Sequence, residues 1–210
     1  MKVHSFFSHM ASAACAGLMG CLFAGAGLAN EADRQASDNR VARGFEIAEQ
    51  QGIALDHANV SAGLGSYIVN LGGCNDCHTW PNYSANGDPF ARQPQQLNLP
   101  AYLAGGRTFS IPGGDVCSRN ITPSKDTGEP AGLSRRDFFY IMQTGCDPQD
   151  KNFRDPHSCE LLQVMPWPNY QSLTRRDLNA IYDYLSALPH AEPDKQLAQC
   201  KPDPQGVAPQ

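Results

Sequence analysis

The sequence predicts a mainly α domain with long loops rich in Gly and Pro. Three observations carry that prediction. Four segments place apolar residues at helical spacing. Two of them start with near copies of one Ser/Thr-led signal, and between the second and third runs a stretch dense in Gly, Pro and Asn. A chain of 210 residues has room for one such domain, and no repeat at a solenoid period suggests an array.

In chain order, Lys2 comes first, followed from about Phe6 to Ala29 by a run without Asp, Glu, Lys or Arg that closes on Gly27-Leu28-Ala29. Residues 1–29 therefore read as a secretory signal cleaved before Asn30-Glu31-Ala32-Asp33, which implies export to an oxidising compartment beyond the inner membrane. Two alternatives stand beside it. Leu18-Met19-Gly20-Cys21 resembles a lipoprotein box that would leave Cys21 lipidated, and an uncleaved run of this length can anchor in a bilayer. The formal charge is −5 and becomes more negative without Lys2. That balance argues against nucleic acid and favours a positively charged protein partner.

Residues 30–60 are expected to form an N-terminal helical extension, with Asp38 capping a helix that carries Val41, Phe45 and Ala48 before Gly52. The main domain is expected over 61–190. Its next helix runs from about Ala62 to Leu71, with Leu64, Tyr67, Ile68 and Leu71 on one face, and stops at Gly72-Gly73. Thr79 to Gly132 reads as a loop with short strand-like pieces such as Arg107–Ile111, of a length that usually has a job or a ligand to pack against.

The last two helices begin at Leu133-Ser134-Arg135-Arg136-Asp137 and Leu173-Thr174-Arg175-Arg176-Asp177. In each, the hydroxyl can accept from the N3 backbone N–H, while the Asp favours the positive helix end. Leu133 can staple against Phe138 and Leu173 against Leu178. The third helix ends at Gly145; the fourth carries Leu178, Ile181, Tyr182 and Leu185 on one face and ends at Leu188-Pro189. Residues 191–210, rich in proline, are expected to form a flexible tail except where Cys200 ties it.

Of eight cysteines, Cys15 and Cys21 lie in the leader and Cys74 and Cys77 in the motif below. Cys117, Cys146, Cys159 and Cys200 remain, an even number that suits two disulfides in an oxidising compartment. Four cysteines allow three connectivities, one of which joins Cys146 to Cys159 and Cys117 to Cys200.

Cys74-Asn75-Asp76-Cys77-His78 is the c-type haem attachment pattern. Two thiols on one helical turn can add to the porphyrin vinyl groups, and the following imidazole can reach the iron. A zinc half-site would need a second close Cys or His pair. A redox dithiol would not need His78 and belongs in a βαβ pattern that the sequence does not show, while a plain disulfide stays open in any exported chain. One covalent haem c is therefore the cofactor this motif indicates.

The second axial ligand is expected to be Met165, in Val164-Met165-Pro166-Trp167-Pro168-Asn169-Tyr170, where two prolines stiffen a loop without secondary structure. Its rival Met142 lies on the apolar face of the third helix with Phe138 and Ile141, where packing explains it. His57, His157 and His190 sit in polar surroundings and are expected to be exposed. Haem propionates need partners as well. Arg107 in Gly105-Gly106-Arg107 can offer its fork or stand in solvent, and Trp167 can donate its indole N–H.

His/Met ligation closes the iron and favours electron transfer over catalysis. The alternatives are a peroxidase-like haem enzyme or a gas sensor, both of which need an open distal site.

These residues resemble the class I-like monohaem cytochromes c of bacterial periplasms, including cytochrome subunits and partners of alcohol and aldehyde dehydrogenases. The resemblance is carried by Gly65-Ser66-Tyr67-Ile68-Val69, the haem motif, Tyr102-Leu103-Ala104-Gly105-Gly106-Arg107, Asn120-Ile121-Thr122-Pro123, Asp137-Phe138, Met165-Pro166-Trp167-Pro168 and Ala180-Ile181-Tyr182-Asp183-Tyr184-Leu185. It implies a cytochrome c-like helical domain around one covalently bound haem, with Cys74, Cys77 and His78 binding it and Met165 as distal ligand. It also implies that the N- and C-terminal helices cross beside the haem, with Gly65 close to Tyr182 and Leu185. Expected partners are redox proteins on the dehydrogenase or terminal-oxidase side. This chain carries one haem motif where many dehydrogenase cytochrome subunits carry three, and its four further cysteines depart from the family.

Overall fold

The computed structural model describes residues 16–149, 153, 155 and 159–200, with side chains from residue 34 onward and at Glu31. Two units divide the chain, residues 1–39 and residues 40–210. Helix α1 spans Ala16–Gln51, α2 Val60–Leu71, α3 Cys74–His78, α4 Arg135–Thr144, α5 Trp167–Tyr170 and α6 Arg175–Ser186. An antiparallel hairpin joins β1 (Thr108–Ile111) to β2 (Gly114–Cys117), in a register that pairs Thr108 with Cys117 and Ile111 with Gly114. Two 3-10 turns, Pro89–Ala91 and Leu99–Ala101, punctuate the long loop. The fold is mainly α, as the sequence predicts.

Local chemistry accounts for the helix ends. The Asn59 side chain accepts from Ala62 N and caps α2. Ser134 caps α4 through Asp137 N, and Gly145 at φ +70 closes it in the left-handed conformation that glycine adopts without strain. Thr174 and Asp177 form a reciprocal capping box on α6. The expected Asp38 cap is not made, because α1 begins at Ala16 and Asp38 lies inside it. No proline interrupts the alanine-rich stretch before Asp38, so the backbone ladder runs through it.

In the second unit, α2 is gripped by two neighbours through its small residues. A β-carbon on Gly44 of α1 would lie 1.7 Å from the Gly63 carbonyl oxygen, and Ser66 Oγ donates to Gly44 O at 2.7 Å. On the other side, Gly65 lies against Ala180 and Tyr184 of α6. Helices α2 and α6 make the most extensive element contact, and both bury residues beyond a single stripe. Val69, Leu103, Leu178 and Tyr184 are fully buried, and the Tyr102 and Tyr184 hydroxyls meet at 3.1 Å.

Two expected faces are therefore corrected. Ala62, Gly63, Leu64, Gly65, Ser66 and Val69 are the buried residues of α2, while Leu71 is 75% exposed. Small residues let two helices approach, and that close approach outweighs the larger side chains on the neighbouring face. Gly65 does meet α6, but at Ala180 and Tyr184. Tyr182 faces α4, where its hydroxyl donates to Leu133 O and its ring meets Phe138 edge-on.

Both disulfides are formed, Cys117–Cys200 and Cys146–Cys159. The segment after α6 is tied down by more than Cys200. Asn120 Nδ2 donates to Ala191 O, Gln199 N donates to Gly106 O, and Thr108 N donates to the Gln199 side chain. No helix among the described residues is long and apolar enough to cross a membrane.

Candidate functional site

The five-residue helix α3 coincides with the Cys74–His78 motif. Gly72 ends α2, and Gly73 at φ +63 turns the chain into α3. The carbonyls that so short a helix leaves open are satisfied from outside. Thr79 N and Asn82 Nδ2 donate to Asn75 O, Arg107 Nη1 donates to Asp76 O at 2.5 Å, and Gly105 N donates to His78 O at 2.6 Å. Thr79 is fully buried behind the motif, where its hydroxyl accepts from Leu103 N. The long loop thus packs against the motif and holds it by its backbone.

Cys74 and Cys77 are half-buried free thiols; the other described cysteine side chains are in disulfides. Burial, reinforced by the neighbouring Cys77, pushes the Cys74 thiol up to about 11. Burial also raises Cys77, opposed by the Arg107 charge and assisted by Asp76. His78 is the oriented residue of the set. Its Nδ1 lies 2.7 Å from the Arg119 carbonyl, so Nδ1 carries the proton and Nε2 is left as the free lone pair. Burial lowers its pKa from the ordinary histidine value, partly offset by that hydrogen bond.

Met165 is partly buried against the core in the turn that leads into α5. The Trp167 N–H donates to Met165 O at 2.8 Å. Leu162 N donates to Gly145 O, and the Trp167 indole lies so close over Gly145 that a β-carbon there would meet it at 2.4 Å. Helix α5 packs on α4 through this contact. At its far end, Tyr170 is raised to about 12 by burial and by the charges of Cys74 and Cys77. The segment carrying Met165 therefore ends within electrostatic reach of both motif thiols.

Arg107 is neither loose nor exposed on all sides. Its guanidinium carbon sits 4.9 Å from the Trp80 ring centroid and 5.0 Å from that of Phe109, while one nitrogen holds Asp76 O. Met142 is buried in the core on α4, as expected. His57 is exposed, and His157 lies outside the described residues. His190 differs from expectation. Its Nδ1 lies 2.6 Å from Pro123 O and its Nε2 3.0 Å from Glu192.

Sequence reasoning missed three features of the site. Arg119 supplies the carbonyl for His78, and its side chain pairs with Asp147 at 2.7 Å. A backbone acceptor has no side-chain signature, so nothing in the sequence marks that position. A cleft of about 350 Å³ borders α3 at Gly73 and Asp76 and is walled by Ile47, Tyr67, Leu71 and Tyr83. It also contains Gln51, whose buried Oε1 has no hydrogen-bond partner among the described residues.

No family model matches the chain. Among curated proteins it is similar to the cytochrome c subunit of the alcohol dehydrogenase (quinone) of Gluconacetobacter polyoxogenes, 28% identical over 134 residues. That alignment covers 63% of this chain and 23% of the relative. The gluconate 2-dehydrogenase cytochrome c subunit of Pantoea cypripedii is 29% identical over 133 residues, covering 63% and 24%. The fructose dehydrogenase cytochrome subunit of Gluconobacter japonicus is 30% identical over 125 residues, covering 60% and 21%. In each case less than a quarter of the relative is spanned. The relatives are thus cytochrome subunits of dehydrogenases, similar to this chain over part of their length.

Proposed function

We propose that this chain is an exported, cytochrome c-like electron carrier with one haem c bound covalently by Cys74 and Cys77 and ligated by His78 and Met165. The observation that carries the reading is α3. It presents two unpaired thiols one helical turn apart, next to an imidazole whose Nδ1 is fixed by a backbone carbonyl. A thiol pair meant for a disulfide has no use for an oriented histidine, whereas the donor set fits haem c: two thiols for the vinyl groups and one free imidazole nitrogen for iron.

When bound, the haem supplies a one-electron ferric/ferrous couple. The chain's own residues define its surroundings. His78 is held in one tautomer by Arg119 O, and the stiff Met165-Pro166-Trp167-Pro168 turn offers a thioether with little freedom to lose. The buried Tyr102 and Tyr184 belong to the core against which Cys74 packs and keep water from that side of the motif. Trp167 is committed to Gly145 and Arg107 to Asp76 O, which leaves them a secondary role toward propionates. The dehydrogenase relatives support a dehydrogenase as redox partner, and the leader ending at Ala29 supports a periplasmic location.

The test is the ferric absorption spectrum, followed by carbon monoxide binding to the reduced protein. A weak long-wavelength sulfur-to-iron band that vanishes in Met165→Ala, with slow carbon monoxide binding in the parent, is the expected result. Absence of the band with ready carbon monoxide binding returns the haem-enzyme or gas-sensor reading.

A further inference from the structure

We propose that the Arg119–Asp147 ion pair is a positioning element that ties the His78 side of the site to the Met165 side. This rests on the function proposed above. Arg119 is engaged at both ends. Its carbonyl accepts from His78 Nδ1 at 2.7 Å, and its guanidinium Nη2 meets Asp147 Oδ2 at 2.7 Å. The two side chains are only 13% and 12% exposed, so solvent screens the pair little and its strength depends steeply on geometry. The other carboxylate oxygen of Asp147 accepts from Gln149 N at 2.8 Å, which fixes the acid's orientation.

Asp147 stands two residues after Gly145, from which the Met165 segment is suspended. Leu162 N donates to Gly145 O, and the Trp167 indole rests on Gly145 itself. Cys146 bridges to Leu161 and is cross-linked to Cys159. On the opposite side, Arg119 follows a segment held just as firmly. Gly106 N donates to Ser118 O, Ser118 N donates to Arg107 O, and Cys117 is cross-linked to Cys200. Between these two braced segments the ion pair is a direct, short side-chain link. Movement of Asp147 would shift the carbonyl that orients His78, and movement of Arg119 would shift the anchor of the Met165 turn.

Two readouts on the haem-loaded protein separate the two sides. Carbon monoxide association with the reduced form reports how firmly Met165 is held. Exchange of the His78 Nδ1 proton, followed by NMR in the ferrous state, reports the bond to Arg119. Asp147→Asn is expected to accelerate both, by on the order of tenfold each, and Arg119→Lys to fall between it and the parent because lysine keeps the charge but loses the fork. Should Asp147→Asn fail to accumulate, the paired change Arg119→Met with Asp147→Leu removes the ion pair without stranding a buried charge, and the same acceleration is expected. Parental rates in these haem-loaded variants would overturn the tie alone. Ready carbon monoxide binding in the unaltered protein would instead sink the Met165 assignment, and the tie with it.

Discussion

Gly65 and Ala180 meet with no room for a side chain between them: a β-carbon on Gly65 would lie 1.9 Å from the Ala180 carbonyl oxygen and 2.6 Å from Tyr184 Cβ. The obstruction is backbone, which cannot rotate away. Gly65→Ala is therefore expected to force α2 and α6 apart and to destabilise the domain by about 3 kcal/mol, at the upper end of overpacking costs. Urea unfolding of the variant beside the parent measures it.

The buried pair Tyr102–Tyr184 sets an alkaline limit on stability. Burial raises both phenols, Tyr184 to about 12 and Tyr102 well above its ordinary value. In the unfolded chain a tyrosine titrates near ~10, so between that pH and the folded value the native state holds more protons. The contribution is fully present below ~10 and is lost as pH rises through the folded values. Denaturation midpoints should therefore fall progressively above ~pH 10. Midpoints that stay flat to pH 12 would contradict the burial of this pair.

Helix punctuation was the most legible part of the sequence, because caps act locally. Ser134, Thr174 with Asp177, and Gly145 each signal a boundary within a few residues, and each is used. The approach of Gly65 to α6 was legible through the resemblance to cytochromes c, but not its register, since Tyr184 and Tyr182 face different helices. The Gly44–Gly63 crossing and the Arg119 carbonyl depend on contacts between distant residues, which periodicity does not encode. At the site, the cysteines and His78 were legible as a motif. What was not legible is how the long loop between α3 and α4 returns to clasp that motif by its backbone.

The two disulfides should differ in weight. Cys117–Cys200 closes a sequence separation of 83 residues and Cys146–Cys159 one of 13. From the entropy of the opened chain, replacing the first pair by serine should cost about 4.5 kcal/mol and the second about 3 kcal/mol. Chemical denaturation of the two double variants tests the order. A larger loss at the short loop would show that Cys146–Cys159 acts chiefly through the native contacts around Asp147.

Covalent haem attachment at α3 is read from the intact mass of the mature protein, followed by peptide mapping. A mass increase of one haem is expected, carried on the peptide containing Cys74 and Cys77 and absent from Cys74→Ser/Cys77→Ser, with Cys117, Cys146, Cys159 and Cys200 in disulfides. A mature protein of polypeptide mass alone, with Cys74 joined to Cys77, would contradict it.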